Sequence, residues 1–198
     1  MAVAPDPAEP GAATISTRVG VSRGYPAQSD AVVVLVGLLI WIGALVMLPA
    51  PLLSRILLLA PLVFVPRLLR LLPLTDRQWL SRLGGWPALT AGLPLLMAFA
   101  SPSGPVAAVF VVPWLAFALI GALAAILHGL THLPSILRPS HWPDLGLDVA
   151  LGFWAVAAVF IVVDRLGLEI RFSPVIVLLT ATHVHFAGLG LLGLASLL

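Results

Sequence analysis

Residues 180–190 read Thr-Ala-Thr-His-Val-His-Phe-Ala-Gly-Leu-Gly and stand in the middle of a long apolar run, 174–198. An ionisable side chain in hydrocarbon is costly and normally faces a protein interior or a wet cavity. His183 and His185 therefore mark a candidate functional centre. Thr180 and Thr182 beside them can bond an imidazole or their own helix carbonyls. A second polar concentration spans 128–148 and holds His128, His132, His141, Asp144 and Asp148. His128 and His132 are four apart and share one face of a helix. Residues two apart point about 200° from each other on a helix. Only one of His183 and His185 can thus face a given pocket, while the other packs against a neighbouring helix through a backbone or threonine hydrogen bond.

Three readings of these residues compete. The imidazoles could ligate a metal ion, but the two-apart pair is poor on a helix, and no glutamate follows as in HExxH. No metal and no cofactor is therefore expected. They could be purely structural hydrogen-bonding groups between helices, as His141 in its Pro-Ser-His-Trp-Pro loop is read. The third reading is acid/base chemistry, because burial favours the neutral forms of both a carboxyl and an imidazole and so sets an acid beside a base. The expectation is a proton-transfer pocket with Asp148 as donor and Asp144 as its substitute. His183 or His185 tunes that acid or accepts the final proton, and His128 and His132 line the mouth. Phe153, Trp154 and Phe186 offer aromatic faces to a cation, and Thr180 and Thr182 complete the substrate contacts.

The elements that must position these groups are membrane spans. The 198 residues are 61% hydrophobic and 9% charged, with a mean hydropathy of +1.13, whereas a soluble domain is about 45–50% apolar and about 25% charged. The fold class is an all-α integral membrane bundle of about six helices with no soluble domain. The spans are expected at 31–48, 52–72, 83–100, 106–127, 145–163 and 174–198, each near the roughly 20 residues that a bilayer requires. Pro61 and Pro66 are expected to kink the second. The third, broken by Gly84, Gly85, Pro87, Gly92 and Pro94, is short or re-entrant. Residues 1–30 are rich in Pro, Ala, Gly and Ser and are read as a disordered tail, with Asp30 capping the first helix; 31–198 form the bundle. Asp164, Arg165, Glu169 and Arg171 are read as a solvated loop.

The basic side chains are all arginines, placed as topology determinants beside apolar runs, so no nucleic acid is expected as partner. With six spans, seven arginines fall on the side of the termini and three on the other. The positive-inside rule then places both termini in the cytoplasm; lysine-free, Ala-, Leu-, Gly- and Pro-rich usage suggests a GC-rich bacterial genome, so the chain is expected to be multi-pass in a bacterial cytoplasmic membrane. There is no cysteine, which excludes thiolate chemistry and disulfides. The expected partners are the lipid bilayer and a hydrophobic small-molecule substrate. A cytoplasm-facing cavity among spans four, five and six would collect His128, His132, Asp148 and one of His183 and His185.

Phe172-Ser173-Pro174, then Ile176-Val177-Leu178-Leu179-Thr180-Ala181, then His183-Val184-His185-Phe186-Ala187-Gly188 resemble the YndJ-like bacterial membrane proteins. In that family a Leu-Thr-Ala-x-His-aromatic-His-aromatic-Ala-Gly pattern follows a Ser-Pro helix start; here Val184 stands where an aromatic separates the histidines. The family's transporter label implies a small-solute or proton-coupled carrier. Size and hydropathy also resemble the small membrane-bound terpene cyclases, which implies proton-initiated cyclisation or isomerisation of an isoprenoid. A non-catalytic accessory role in the membrane is the third reading.

Overall fold

The structure, a computed structural model, describes residues 27–71, 78–132, 142–168 and 170–196. Among these there is no strand. The first crossing is α1 (Ala27–Met47). The second, Leu52–Leu71, is α2 (Leu52–Leu57), a π-helical segment (Ala60–Phe64) and α3 (Val65–Leu71). A short α4 (Gln78–Leu83) precedes α5 (Trp86–Gly92) and α6 (Pro94–Ala100). Then come α7 (Pro105–Val109), α8 (Val112–His132), α9 (Trp142–Leu166), α10 (Pro174–His183), a second π segment (Val184–Leu191) and α11 (Leu192–Ala195).

Five helices, Asp30–Met47, Leu52–Leu71, Val112–His132, Trp142–Leu166 and Pro174–Ala195, are long and apolar enough to cross a membrane. The third expected span is the exception. Trp86–Ala100 is a shorter apolar helix, about 22 Å at the helical rise against a hydrocarbon core of about 30 Å. It still joins the two ends of the bundle. Gly85 N–H donates to Pro66 O at 2.9 Å at its start, and Ala98 O accepts from Arg165 Nη1 at 3.4 Å near its finish. The described ends of the chain lie on one face: Asp30 of α1 pairs with Arg67 at 3.8 Å and Arg70 at 3.6 Å, while Gly193 packs on Leu68 beside them. Asp30 is not the expected cap, because α1 begins three residues earlier and Asp30 sits inside its first turn. The tail expected over residues 1–30 otherwise lies outside the described residues, as do His141 and Glu169.

Local chemistry explains both π segments. Pro61 and Pro66 supply no N–H to the helical ladder, so the second crossing widens between them. Leu62 O, which an N–H at position 66 would otherwise bond, is approached by α1 at Gly37, where an added Cβ would overlap that oxygen. In the last crossing, His185 inserts its own ring N–H into the ladder by bonding Ala181 O at 2.9 Å, one of the recognised causes of a break. The two widened segments meet: Phe64 packs on Gly190, where a Cβ would lie 2.7 Å from its ring, and tilts against Phe186 at 5.9 Å between centroids.

The far face is tied more tightly than the sequence suggests. Arg55 donates to Ala50 O at 2.7 Å and Leu45 O at 2.8 Å, closing carbonyls left open where α1 ends. Asp164 and Arg165 are not a solvated loop pair. Their 2.7 Å contact is only 7% and 11% exposed respectively, and the guanidinium lies 4.8 Å from the Phe99 ring centre. Helix α9 runs on to Leu166 and draws the pair in beneath the 101–104 turn, where Gly104 N–H bonds Arg165 O at 2.7 Å.

Candidate functional site

Helices α8 and α9 are antiparallel neighbours, so the last turn of one faces the first turns of the other. This brings His128 and Asp148 together. Nδ1 of His128 lies 2.8 Å from Oδ2 of Asp148, and the side chains are 12% and 11% exposed. With the carboxylate ionised, Nδ1–H donates; with the acid neutral, the carboxyl O–H donates to Nδ1. The same contact thus serves either location of one shared proton. His132 completes the cluster, its ring centre 4.3 Å from that of His128. Its Nδ1–H donates to His128 O at 3.0 Å, which leaves Nε2 as the acceptor nitrogen of the neutral ring. Thr131 Oγ1 donates to the same carbonyl at 2.8 Å.

Asp148 also lines an open groove of about 220 Å³ on the outer surface of the α8–α9 pair, walled by Ala122, Ala125, Ile126, Val149 and Gly152. Small side chains at three of these positions hold the groove open beside the acid. Asp144, the alternative donor, sits exposed in the first turn of α9.

The other two described histidines, His183 and His185, are elsewhere and face opposite ways, as their spacing requires. His183 is exposed. His185 is completely buried: its Nδ1–H donates to Ala181 O, and its Nε2 accepts from Trp114 Nε1 at 3.3 Å. Both ring nitrogens are thereby used. Trp114 lies fourteen positions before His128 on α8, which separates the two histidine sets by about 21 Å along the axis. The structure therefore brings His128, His132 and Asp148 together and leaves His183 and His185 out of that group.

The remaining candidates sit as follows. Thr180 and Thr182 bond back to Ile176 O and Leu178 O, each at 2.8 Å, and so hold their own helix. Trp154 is fully buried, edge-on to Trp114 and Phe117, both at 5.4 Å, with Gly121 against its ring. Phe153 is exposed on its outer side and packs on Gly188; Phe186 is half-buried. Trp114 was not singled out from the sequence. The Trp-x-x-Phe spacing of Trp114 and Phe117, which puts two rings on one helical face, was the available signal. Among the described residues, no group of three or more His, Asp or Glu side chains is arranged to hold a metal ion.

No curated protein and no solved structure matches the chain. The profile of the YndJ-like proteins matches residues 55–198. The match takes in both π segments, the His128–Asp148 contact and the Trp114–His185 contact, and leaves out only α1 among the full crossings. It covers more than two thirds of the sequence, and the chain belongs to the YndJ-like protein family.

Proposed function

We propose that this protein is a membrane-embedded acid/base enzyme that moves a proton on a lipid-soluble, unsaturated substrate of isoprenoid type. The observation that carries the reading is the 2.8 Å contact between His128 Nδ1 and Asp148 Oδ2 at the head of an apolar groove. An apolar chain dissolved in the bilayer can lie along Ala122, Ala125 and Val149 with a double bond beside the carboxyl. The neutral acid gives the proton on its Oδ1 to one olefinic carbon while Nδ1–H of the neutral imidazole donates to Oδ2, leaving a carboxylate hydrogen-bonded to a neutral imidazole and a cation on the substrate. The pair then takes a proton from a neighbouring carbon and regains its starting charge. The substrate formula is unchanged, so the reaction is an isomerisation; cyclisation is the same sequence with a ring bond formed in between. A carboxyl held by an imidazole hydrogen bond, giving up and then regaining one proton, suits both halves of that cycle.

In this reading His132, tilted against His128 with ring centres 4.3 Å apart, holds the inner ring in place. His183 and His185 take no part in the chemistry. The face carrying Asp30, Arg67, Arg70 and the His128–Asp148 contact is the cytoplasmic one, and the membrane is the bacterial cytoplasmic membrane. The orientation rests on the arginine distribution, and the bacterial membrane on the lysine-free, Ala-, Leu-, Gly- and Pro-rich composition.

The test incubates membranes containing the protein with a panel of polyprenyl alcohols and polyprenylated quinols. The expected result is a product of unchanged mass and altered chromatographic retention that disappears in Asp148→Asn. Proton-coupled uptake of a solute into sealed vesicles, with no product from any member of the panel, would replace the enzyme by a carrier.

A further inference from the structure

On the face opposite the histidine cluster, a cavity of about 680 Å³ opens between the start of the second crossing, the end of α9 and the start of α10. Its volume lies within the range of about 300–1,000 Å³ typical of small-molecule sites. The walls are sorted by chemistry. Leu53, Val177 and Leu178 form an apolar side, whereas Arg171 and Ser173 stand at the exposed rim. The rim is also the N-terminal end of α10, where amides without helical partners favour an anion. Asp164 is the carboxylate of the wall, and its Oδ2 is engaged by both Nε and Nη2 of Arg165 at 2.7 Å. Arg171 therefore sets the sign of the rim among the described residues.

A second, independent observation lies deeper. Ser54 lines the cavity yet is completely buried, and its hydroxyl has no hydrogen-bond partner. A helical serine ordinarily bonds the carbonyl four residues back. Here Ala50 O lies before α2 and is held by Arg55 Nε at 2.7 Å, and the Ser54 hydroxyl makes no bond to it. Ser54 thus holds an unmet O–H donor on the apolar side of the cavity, beside Leu53, Val177 and Leu178. Buried polar groups in native proteins are overwhelmingly partnered, and an acceptor oxygen on a bound molecule would supply the partner.

We propose that this cavity binds an anionic acyl lipid. The anionic head lies at Arg171 and the first turn of α10, an ester carbonyl accepts from Ser54 Oγ–H, and the acyl chain runs along Leu53, Val177 and Leu178. A glycerophospholipid places an ester carbonyl a few bonds below its phosphate, which matches a charged rim above a single buried donor. The site is independent of the chemistry at His128 and Asp148.

The experiment is equilibrium binding to the full-length protein in neutral detergent, with dihexanoyl phosphatidylglycerol as probe. Dihexanoyl phosphatidylcholine and inorganic phosphate serve as comparators. Saturable binding of the anionic lipid is expected, about tenfold tighter than the zwitterionic one, a difference of about 1.4 kcal/mol. Arg171→Gln is expected to erase that preference while leaving the zwitterionic lipid within about twofold, and Ser54→Ala to weaken both lipids about fivefold, the worth of one hydrogen bond. Arg171 is exposed, so its replacement carries the test even if Ser54→Ala aggregates. Equal binding of the two lipids, or affinities unmoved by Arg171→Gln, overturns the proposal. So does displacement of the lipid by inorganic phosphate at comparable concentration, which would make this a site for free anions.

Discussion

Replacing His185 by Phe keeps a ring of similar size in the core and removes both of its hydrogen bonds. Ala181 O still receives the Val184 backbone N–H, so its loss is partial. Trp114 Nε1 loses its acceptor while the side chain remains fully buried. One unsatisfied buried donor costs about 1–3 kcal/mol. Interhelical hydrogen bonds in membranes are worth less, about 0.6 kcal/mol on average and about 1.7 at most. At 3.3 Å the Trp114–His185 contact is long, which places it in the lower half of that range. We therefore expect His185→Phe to destabilise by about 2 kcal/mol in all, once the partial loss at Ala181 O is included. About 0.6–1 kcal/mol of this should appear as coupling to Trp114→Phe in a double-mutant cycle. His183→Phe, on an exposed position, is expected within about 0.5 kcal/mol of the parent. Reversible unfolding by sodium dodecyl sulfate in mixed micelles, followed by far-ultraviolet circular dichroism, measures the parent and the four variants. Equal costs for the two histidine replacements, or strict additivity of Trp114→Phe and His185→Phe, would refute the assignment of His185 as the acceptor for Trp114.

Two further outcomes follow from the packing. Gly37→Ala drives a methyl group into Leu62 O and is expected to cost about 1–3 kcal/mol or more in the same assay, because backbone rather than side chain must yield. Gly43→Ala meets nothing within 4 Å and is expected to be neutral or to gain up to about 1 kcal/mol from helix propensity, so equal effects at the two glycines would contradict the close approach of α1. Topology reporters at the N-terminus and at Ser103 are expected on opposite sides of the membrane; matching sides would mean that Trp86–Ala100 does not cross.

The sequence made the spans legible because a bilayer imposes one length on every apolar helix, and the broken third segment was readable from Gly84, Gly85, Pro87, Gly92 and Pro94. The opposition of His183 and His185 was readable too, since it follows from helical geometry alone. Which of the two turns inward was not, because that depends on a partner seventy-one residues away, Trp114. Spacing put His128 and His132 on one face, but not the direct contact of His128 with Asp148, which depends on how α8 and α9 align across the 133–141 connection. Asp164 and Arg165 were misjudged for a related reason. Charge beside a span reads as loop until the helix is seen to continue through it and the pair to fold back under Phe99.

The central claim is that the His128–Asp148 pair is the reacting centre, and comparing two acid replacements tests it most directly. Asp148→Asn preserves size and hydrogen bonding but cannot deliver a proton, whereas Asp144→Asn alters an exposed carboxylate one turn away. With the isomerised product as readout and protein amounts matched, the account predicts that Asp148→Asn lowers turnover by about 10²–10⁴, the usual worth of a general acid, and that Asp144→Asn stays within about threefold of the parent. Undiminished product from Asp148→Asn, or an equal loss in both variants, would contradict it.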